Sequence, residues 1–367
     1  MRAARWHGRR DVRVEDVPQP RAGPGELLLQ VGWCGICGTD LEEYRDGPVL
    51  VPTGAPHGLT GRRAPLVIGH EFVGSVAEVG EGVSGFSVGD RVVPEVVLFC
   101  GSCFYCRRHE YALCLNWAAL GLQADGGLAE HVAVPAFSCV RLPDTLSDED
   151  GALVEPTEVA VRAVRKSELR IGERVAVVGG GAVGLLTMQV AWAGGAADVY
   201  LVEPRPARRR LAESLGATAT FDPVAGDCDA ALRAACGAVG PDVVFECAGG
   251  RDTADAAVRL ARKGGRIVLV GIHGDRVPLS TLDIVVGEKR LVGSVQHHYD
   301  EDLPAAVRLL ADGRVRAAPL VTARIPLADV VRRGFDELAE RGDEHVKILV
   351  GPNLAAPPYH QPQGGSR

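Results

Sequence analysis

Lysine is nearly missing from these 367 residues: only Lys166, Lys263, Lys289 and Lys347 occur, and arginine carries the remaining positive charge. That bias points to a GC-rich coding sequence and says nothing about mechanism. Positive charge is short overall, with 40 Lys and Arg against 47 Asp and Glu and a formal net charge of −7, so no basic field exists to hold a nucleic-acid backbone. The N-terminus MRAARWHGRRDVRVEDV breaks every apolar stretch with charge; a secretory signal is not expected, and the cytoplasm is the expected location. No internal repeat is evident. The segment from Val175 to Ala197 carries no charge and is long enough to cross a bilayer. It is nevertheless dense in glycine, flanked by strand-like sequence and unaccompanied by a second span, and reads as a buried strand-loop-helix rather than a membrane segment. What is present is an ordinary globular composition, 46% hydrophobic and 24% charged, in a length that at about 150 residues per domain implies two to three folding units.

Ten cysteines occur, and in a reducing compartment clustered thiols argue for metal before disulfides. Cys100, Cys103, Cys106 and Cys114 form a Cys-x2-Cys-x2-Cys-x7-Cys run in a lobe at about 95–115. Its short gaps let one loop wrap four thiolates around a closed, tetrahedral Zn²⁺; an iron-sulfur cluster is the competing occupant. Cys139, Cys228, Cys236 and Cys247 read as core fillers, and Cys34 forms a Cys-x2-Cys pair with Cys37.

A looser set is more informative about chemistry. Cys37 in Gly35-Ile36-Cys37-Gly38-Thr39-Asp40, His70 and Glu71 in Gly69-His70-Glu71, and Glu155 in Val154-Glu155-Pro156 supply one sulfur, one imidazole and two carboxylates from separate segments. Three protein ligands and an exchangeable position make an open, catalytic zinc.

The third signal is a nucleotide motif. A strand-like run, 174–178, precedes Gly179-Gly180-Gly181-Ala182-Val183-Gly184, and an apolar helix follows to about Ala193. Gly179, Gly181 and Gly184 fill the G-x-G-x-x-G positions, where a tight turn, a pyrophosphate and a helix-strand contact leave no space for a Cβ. The next strand ends at Glu203, where a carboxylate accepts hydrogen bonds from both ribose hydroxyls and repels a 2′-phosphate, favouring NAD over NADP. Arg205 and Arg208 to Arg210 work against that preference, since guanidinium binds phosphate well. Val183, Arg208, Val270 and Gly271 complete the candidate cofactor contacts.

Six strand-like runs, 175–178, 199–202, 218–221, 242–246, 266–270 and 291–295, alternate mostly with helices, which means a doubly wound parallel sheet. Before residue 155 short strands and Gly/Pro turns predict a β-rich, barrel-like unit. After Gln296 a helical stretch and the strand HVKILV return to that first unit, and 352–367 reads as disordered tail.

The open ligand set, the four-cysteine lobe and the glycine motif occur in the order found in medium-chain zinc-dependent alcohol dehydrogenases, which residues 1 to about 351 resemble. GTDLEEYRDGPVLVPTG, HGLTGRRAPLVIGHEFVG and GEKRLVGS look most like the 2,3-butanediol dehydrogenases, with sorbitol and threonine dehydrogenases near. The resemblance implies a GroES-like catalytic domain, 1–155 with 297–351, and a Rossmann domain, 156–296. It implies one catalytic and one structural zinc, NAD, a small alcohol or ketone substrate, and a homodimer or homotetramer. It also ranks zinc above an iron-sulfur cluster and leaves Cys34 off the metal. Cys37, His70 and either or both of Glu71 and Glu155 would bind the catalytic ion, and Asp40 would orient the histidine. Thr39 would take the substrate proton. Hydride would pass between a secondary alcohol or diol and the nicotinamide, the cofactor carrying the redox step.

Two residues depart from the pattern. Glu42 stands where many relatives carry the histidine that ends a proton relay, so Glu42, aided by Glu43, is the candidate acceptor, with a solvated surface carboxylate as the alternative. Glu158 follows Glu-Pro where relatives carry small or apolar residues, and reads as a contact to a polar substrate or a helix cap. His57, His297 and His298 read as surface or loop histidines. A sugar, cyclitol or amino alcohol is the alternative substrate. A non-catalytic zinc- and nucleotide-binding module and a nucleic-acid zinc ribbon are the alternative functions; the intact ligand set opposes the first and the acidic balance the second.

Overall fold

The computed structural model describes residues 1–342, 344–352 and 354; apart from 352 and 354, the expected tail at 352–367 lies outside the described residues. The run from Val175 to Ala197 divides into the strand Arg174–Val178 and the helix Ala182–Ala193. No helix among the described residues is long and apolar enough to cross a membrane.

That strand is central in a six-stranded, wholly parallel sheet ordered Ala219–Phe221, Asp198–Val202, Arg174–Val178, Val243–Glu246, Arg266–Leu269, Arg290–Gly293. Val175 and Val177 point into one apolar cluster with Leu185, Leu186 and Phe245, while Ala176 and Val178 point into another with Val244 and Ile267. Burial on both faces is why the strands read as unbroken apolar runs rather than alternating ones. Chain order reverses on either side of Arg174–Val178, so the glycine turn at its C-terminal end lies at the switch point, where open α/β sheets bind ligands.

The β-rich unit is built on Cys139–Arg141, Arg91–Pro94, Glu71–Val79, Glu26–Gly35, Lys347–Gly351 and Val321–Pro326, with His131–Pro135 paired to Glu26–Gly35. The last two strands come from the far end of the chain and are parallel to each other. The final strand agrees with expectation; Val321–Pro326 is an additional strand that the apolar pattern did not predict. Two registers place the candidate ligands: Gly35 lies opposite Glu71 on one side and opposite Leu349 on the other. The ends of three strands therefore deliver Cys37, His70-Glu71 and Lys347 to one place. The helix Val154–Lys166 runs through the expected domain boundary at 155; its buried face carries Glu155 and Glu158 as well as Val161 and Val164. Pro156 is accommodated because the first turn needs no intrahelical donor.

Candidate active site

The cysteine lobe comes first. The four sulfurs of Cys100, Cys103, Cys106 and Cys114 lie within 4.8 Å of one another. Separations of 3.9 Å for Cys100 to Cys106, 3.5 Å for Cys103 to Cys106 and 4.0 Å for Cys103 to Cys114 bracket the ~3.8 Å edge of a tetrahedron with Zn–S bonds of about 2.3 Å. The backbone amides of Ser102 and Cys103 lower the pKa of the Cys100 thiol to about 6, toward the metal-binding thiolate, while burial raises those of Cys106 and Cys114. The lobe fits structural zinc.

At the strand ends, Cys37 caps the helix Gly38–Asp46 and Asp40 accepts its amide at 3.0 Å. The other Asp40 oxygen accepts the Gly69 amide at 3.3 Å and lies 3.4 Å from His70 Nδ1. Burial works against a charge on His70, yet Asp40 and Cys37 outweigh it and raise its pKa well above the ordinary value. The pocket holds surplus negative charge where a cation belongs, and its sulfur, nitrogen and oxygen donors suit Zn²⁺. Cys34 is buried and directed to the Gly35 carbonyl.

The two candidate carboxylates differ in what holds them. Both oxygens of Glu71 lie 2.6 Å from Lys347 Nζ, which also donates to the Ile36 carbonyl at 3.2 Å. Glu155 is held by one oxygen only, Oε1, 3.2 Å from His297 Nε2; among the described residues no hydrogen bond occupies its Oε2. Burial raises the Glu155 pKa, but the His297 hydrogen bond and the charges of His70, His297 and Lys347 reverse this and hold it ionised.

His297 and His298 are not surface histidines. They are loop histidines, in the irregular stretch after Arg290–Gly293, but buried ones, 2% and 7% exposed between the exposed Val295 and Asp300. Nor does Glu158 cap a helix or reach solvent: it is wholly buried, with Oε2 at 2.7 Å from His297 Nδ1. Glu43 is also unavailable to a proton relay, since its carboxylate accepts the backbone amides of Val49, Leu50 and Val51. Glu42 is half-buried, and burial followed by the charge of Asp46 raises its pKa. Thr39 Oγ1 lies 3.9 Å from the Cys37 sulfur.

At the nucleotide turn Gly179 has φ +101°, a conformation glycine adopts at little cost. A Cβ on Gly184 would sit 2.0 Å from the Gly179 carbonyl, whereas one on Gly181 would meet nothing within 4 Å, leaving that side open to a diphosphate. Glu203 accepts the Gly180 amide at 2.6 Å and the Arg205 amide at 2.9 Å, which fixes its carboxylate beside the turn. Val183, Val270 and Gly271 are partly exposed around it. An Arg208 amino group donates to the carbonyls of Gly342 and His345, tying that guanidinium to the C-terminal segment.

Lys347, His297 and Glu95 join the site although their sequence surroundings do not mark them as site residues. The available signal is a charge inside an apolar run: HVKILV for the lysine, VVPEVVL for the glutamate.

A domain described as "Alcohol dehydrogenase GroES-like domain" matches residues 23–144, and one described as "Zinc-binding dehydrogenase" matches residues 182–312. The (R,R)-butanediol dehydrogenase of Bacillus subtilis is 41% identical over 356 residues, which is 96% of this chain and 100% of that protein. The crystal structure of 2R,3R-butanediol dehydrogenase from Bacillus subtilis superposes with a TM-score of 0.89 at 40% identity, covering 96% and 99% of the two chains. A putative zinc-binding dehydrogenase from Sinorhizobium meliloti, bound to NADP, does so with a TM-score of 0.84 at 35% identity over 96% and 99%.

Proposed function

Since this chain belongs to the zinc-dependent medium-chain alcohol dehydrogenases, oxidoreductases of alcohols and diols, we propose that its substrate pair is a vicinal diol and the corresponding hydroxyketone, of the 2,3-butanediol and acetoin type. The observation that carries this reading is the placing of Cys37 and His70 beside Asp40 at the strand ends, with Glu155 on the neighbouring helix near enough to feel the charge of His70; near-full-length likeness to the Bacillus subtilis protein supports the diol.

Zinc supplies a Lewis acid that lowers the pKa of an alcohol, and NAD supplies the hydride acceptor. Cys37, His70 and Glu155 would hold the metal. Glu155 is the third ligand in this reading because Lys347 occupies both oxygens of Glu71. Thr39 takes the substrate proton at Oγ1, and Glu42, one helical turn further on, receives it on the solvent side. Gly181 and Gly184 admit the diphosphate, and Glu203 binds the ribose hydroxyls and disfavours a 2′-phosphate.

The catalytic unit is taken as 1–155 with 297–351, the dinucleotide unit as 156–296, and the location as the cytoplasm. A homodimer or homotetramer is favoured by the open edge strand Arg290–Gly293 and by the exposed Leu282, Val285 and Val286 beside it, features that second copies commonly cover. The test is reduction of NAD⁺ and NADP⁺ over secondary alcohols, vicinal diols and polyols, with and without a zinc chelator. Fastest reduction of NAD⁺ with a vicinal diol, abolished by the chelator, is expected; no turnover on any alcohol would favour a non-catalytic module.

A further inference from the structure

His297 stands at a junction of three segments. Its Nε2 faces Glu155 Oε1 at 3.2 Å, and its Nδ1 faces Glu95 Oε2 at 2.8 Å and Glu158 Oε2 at 2.7 Å. Glu95 comes directly after the strand Arg91–Pro94 of the β-rich sheet, and its other oxygen accepts the Val97 amide at 2.8 Å. Glu155 and Glu158 are one turn apart on Val154–Lys166, hence on one face. His297 itself lies between the last parallel strand and the helix Asp302–Ala311, where the neighbouring His298 amide is anchored by Asp302 at 2.9 Å. All four side chains are less than a tenth exposed.

Carboxylate oxygens face both ring nitrogens, so a ring that donates from both serves both neighbours at once; Glu95, Glu158 and His297 also lie within 4.8 Å of one another, so an ion among these three is the competing reading that the test below resolves. Glu95 takes the Nδ1 hydrogen bond at 2.8 Å, and Glu158 lies at 2.7 Å from the same nitrogen without hydrogen-bond geometry, so the ring is packed from the side away from Glu155. The ring cannot rotate without leaving the buried carboxylates of Glu95 and Glu155 without their hydrogen bonds.

We infer that His297 is a positioning residue for the catalytic metal: hydrogen-bonded by Glu95 and packed by Glu158, it holds Oε1 of Glu155 and so determines that Oε2 is the oxygen presented toward Cys37 and His70. This rests on the reading of Glu155 as a ligand. Carboxylates that orient a ligand contribute about 10–100-fold in metal affinity or activity; here an imidazole does so for a carboxylate, on a base of two further glutamates.

The test monitors zinc release to a chromophoric chelator from the loaded enzyme, where two kinetic phases separate the catalytic ion from that of the cysteine lobe. His297→Asn, Glu95→Gln and Glu158→Gln are each expected to speed the catalytic phase tenfold or more and to leave the cysteine-lobe phase unchanged. The isosteric glutamine variants preserve the readout should the histidine variant fail to fold. Catalytic-phase release at the wild-type rate in the glutamine variants overturns the inference, and so does equal acceleration of both phases, which marks general loosening. Glu155→Gln separates the two readings: wild-type release there refutes Glu155 as ligand, while fast release there with unchanged Glu95→Gln and Glu158→Gln refutes the clamp alone. Metal analysis of the wild type is expected to give two zinc ions per chain; a third equivalent, lost in Glu158→Gln, would show that an ion joins these carboxylates, and overturns the clamp.

Discussion

Lys347→Met replaces the buried ammonium by an apolar chain of similar length and leaves Glu71 without its partner. Lys347 and Glu71 side chains are 4% and 1% exposed, with contacts of 2.6 Å to both carboxylate oxygens. Burial disfavours the ammonium, but Glu71, Cys37 and Glu155 outweigh it and hold Lys347 charged. Burial also raises the Glu71 pKa despite the lysine, so the carboxylate tolerates desolvation only while the pair is intact. Removing one member of such a pair costs about 3–5 kcal/mol, whereas replacing both by apolar groups is often neutral or better. Lys347→Met should therefore lose about 3–5 kcal/mol, and Lys347→Met with Glu71→Leu should recover most of that loss. The assay is urea unfolding of the zinc-loaded enzyme monitored by tryptophan fluorescence, a probe weighted to this region because Trp6, Trp33 and Trp117 precede the parallel sheet and only Trp192 lies within that unit. A loss below about 1 kcal/mol for the single variant, or a double variant no more stable than the single, would refute the reasoning: the pair would then be worth no more than a surface ion pair.

Cys106→Ser should remove one of two zinc equivalents in metal analysis and leave the catalytic ion in place, since its four-sulfur lobe shares no ligand with Cys37 and His70. Glu42→Gln should flatten one limb of the pH dependence of kcat and lower turnover about tenfold or more, the low end of general-base contributions; an unchanged profile would refute the relay. Asp242 accepts the Arg174 amide at 2.8 Å and the Arg262 side chain at 2.6 Å. Burial would raise its pKa, but these two partners lower it below the ordinary carboxylate value. With the folded-state pKa depressed, its stabilisation is present at neutral pH and is lost as pH falls through the acid range below about 4. Asp242→Asn should accordingly cost about 1–2 kcal/mol at pH 7 and much less near pH 3, measured as the shift in urea midpoint at both values.

The parallel sheet was legible because burial on both faces writes continuous apolar runs, and the glycine turn because backbone geometry admits few other residues there. The cysteine lobe was legible because its ligands are local in sequence. Cys37, His70, Glu71 and Glu155 could be put forward as a set from their sequence motifs, but the difference between the two glutamates could not. It depends on Lys347 and His297, which lie 276 and 142 residues away along the chain, and nothing in spacing encodes such partners. The same holds for Glu43: as one of two adjacent glutamates on a helix it looked exchangeable with Glu42, yet the turn after that helix folds its amides onto one carboxylate and not the other.

Where the charges are buried says more than which residues are charged. Asp40, His70, Glu71, Glu95, Glu155, Glu158, His297 and Lys347 are all buried, and they form one continuous patch at the junction of the strand ends, the helix Val154–Lys166 and the chain crossing at 297. Taking each from water costs several kcal/mol before pairing returns it, and an apolar core of equal volume would be cheaper. Elsewhere among the described residues buried charge stands in smaller groups: Glu203 and Glu246 close the ends of parallel strands, Glu43 is met by backbone amides, Asp302 by Arg165 and the His298 amide, and Arg266 bonds the carbonyls of Ser167 and Glu168. A crevice that sets Asp40, Glu71, Glu95, Glu155 and the Cys37 sulfur beside one lysine and two histidines, with burial pushing Glu158 well above the ordinary carboxylate range, suits a further positive charge. On the function proposed above that charge is a zinc ion, and the free oxygen of Glu155 would complete its coordination.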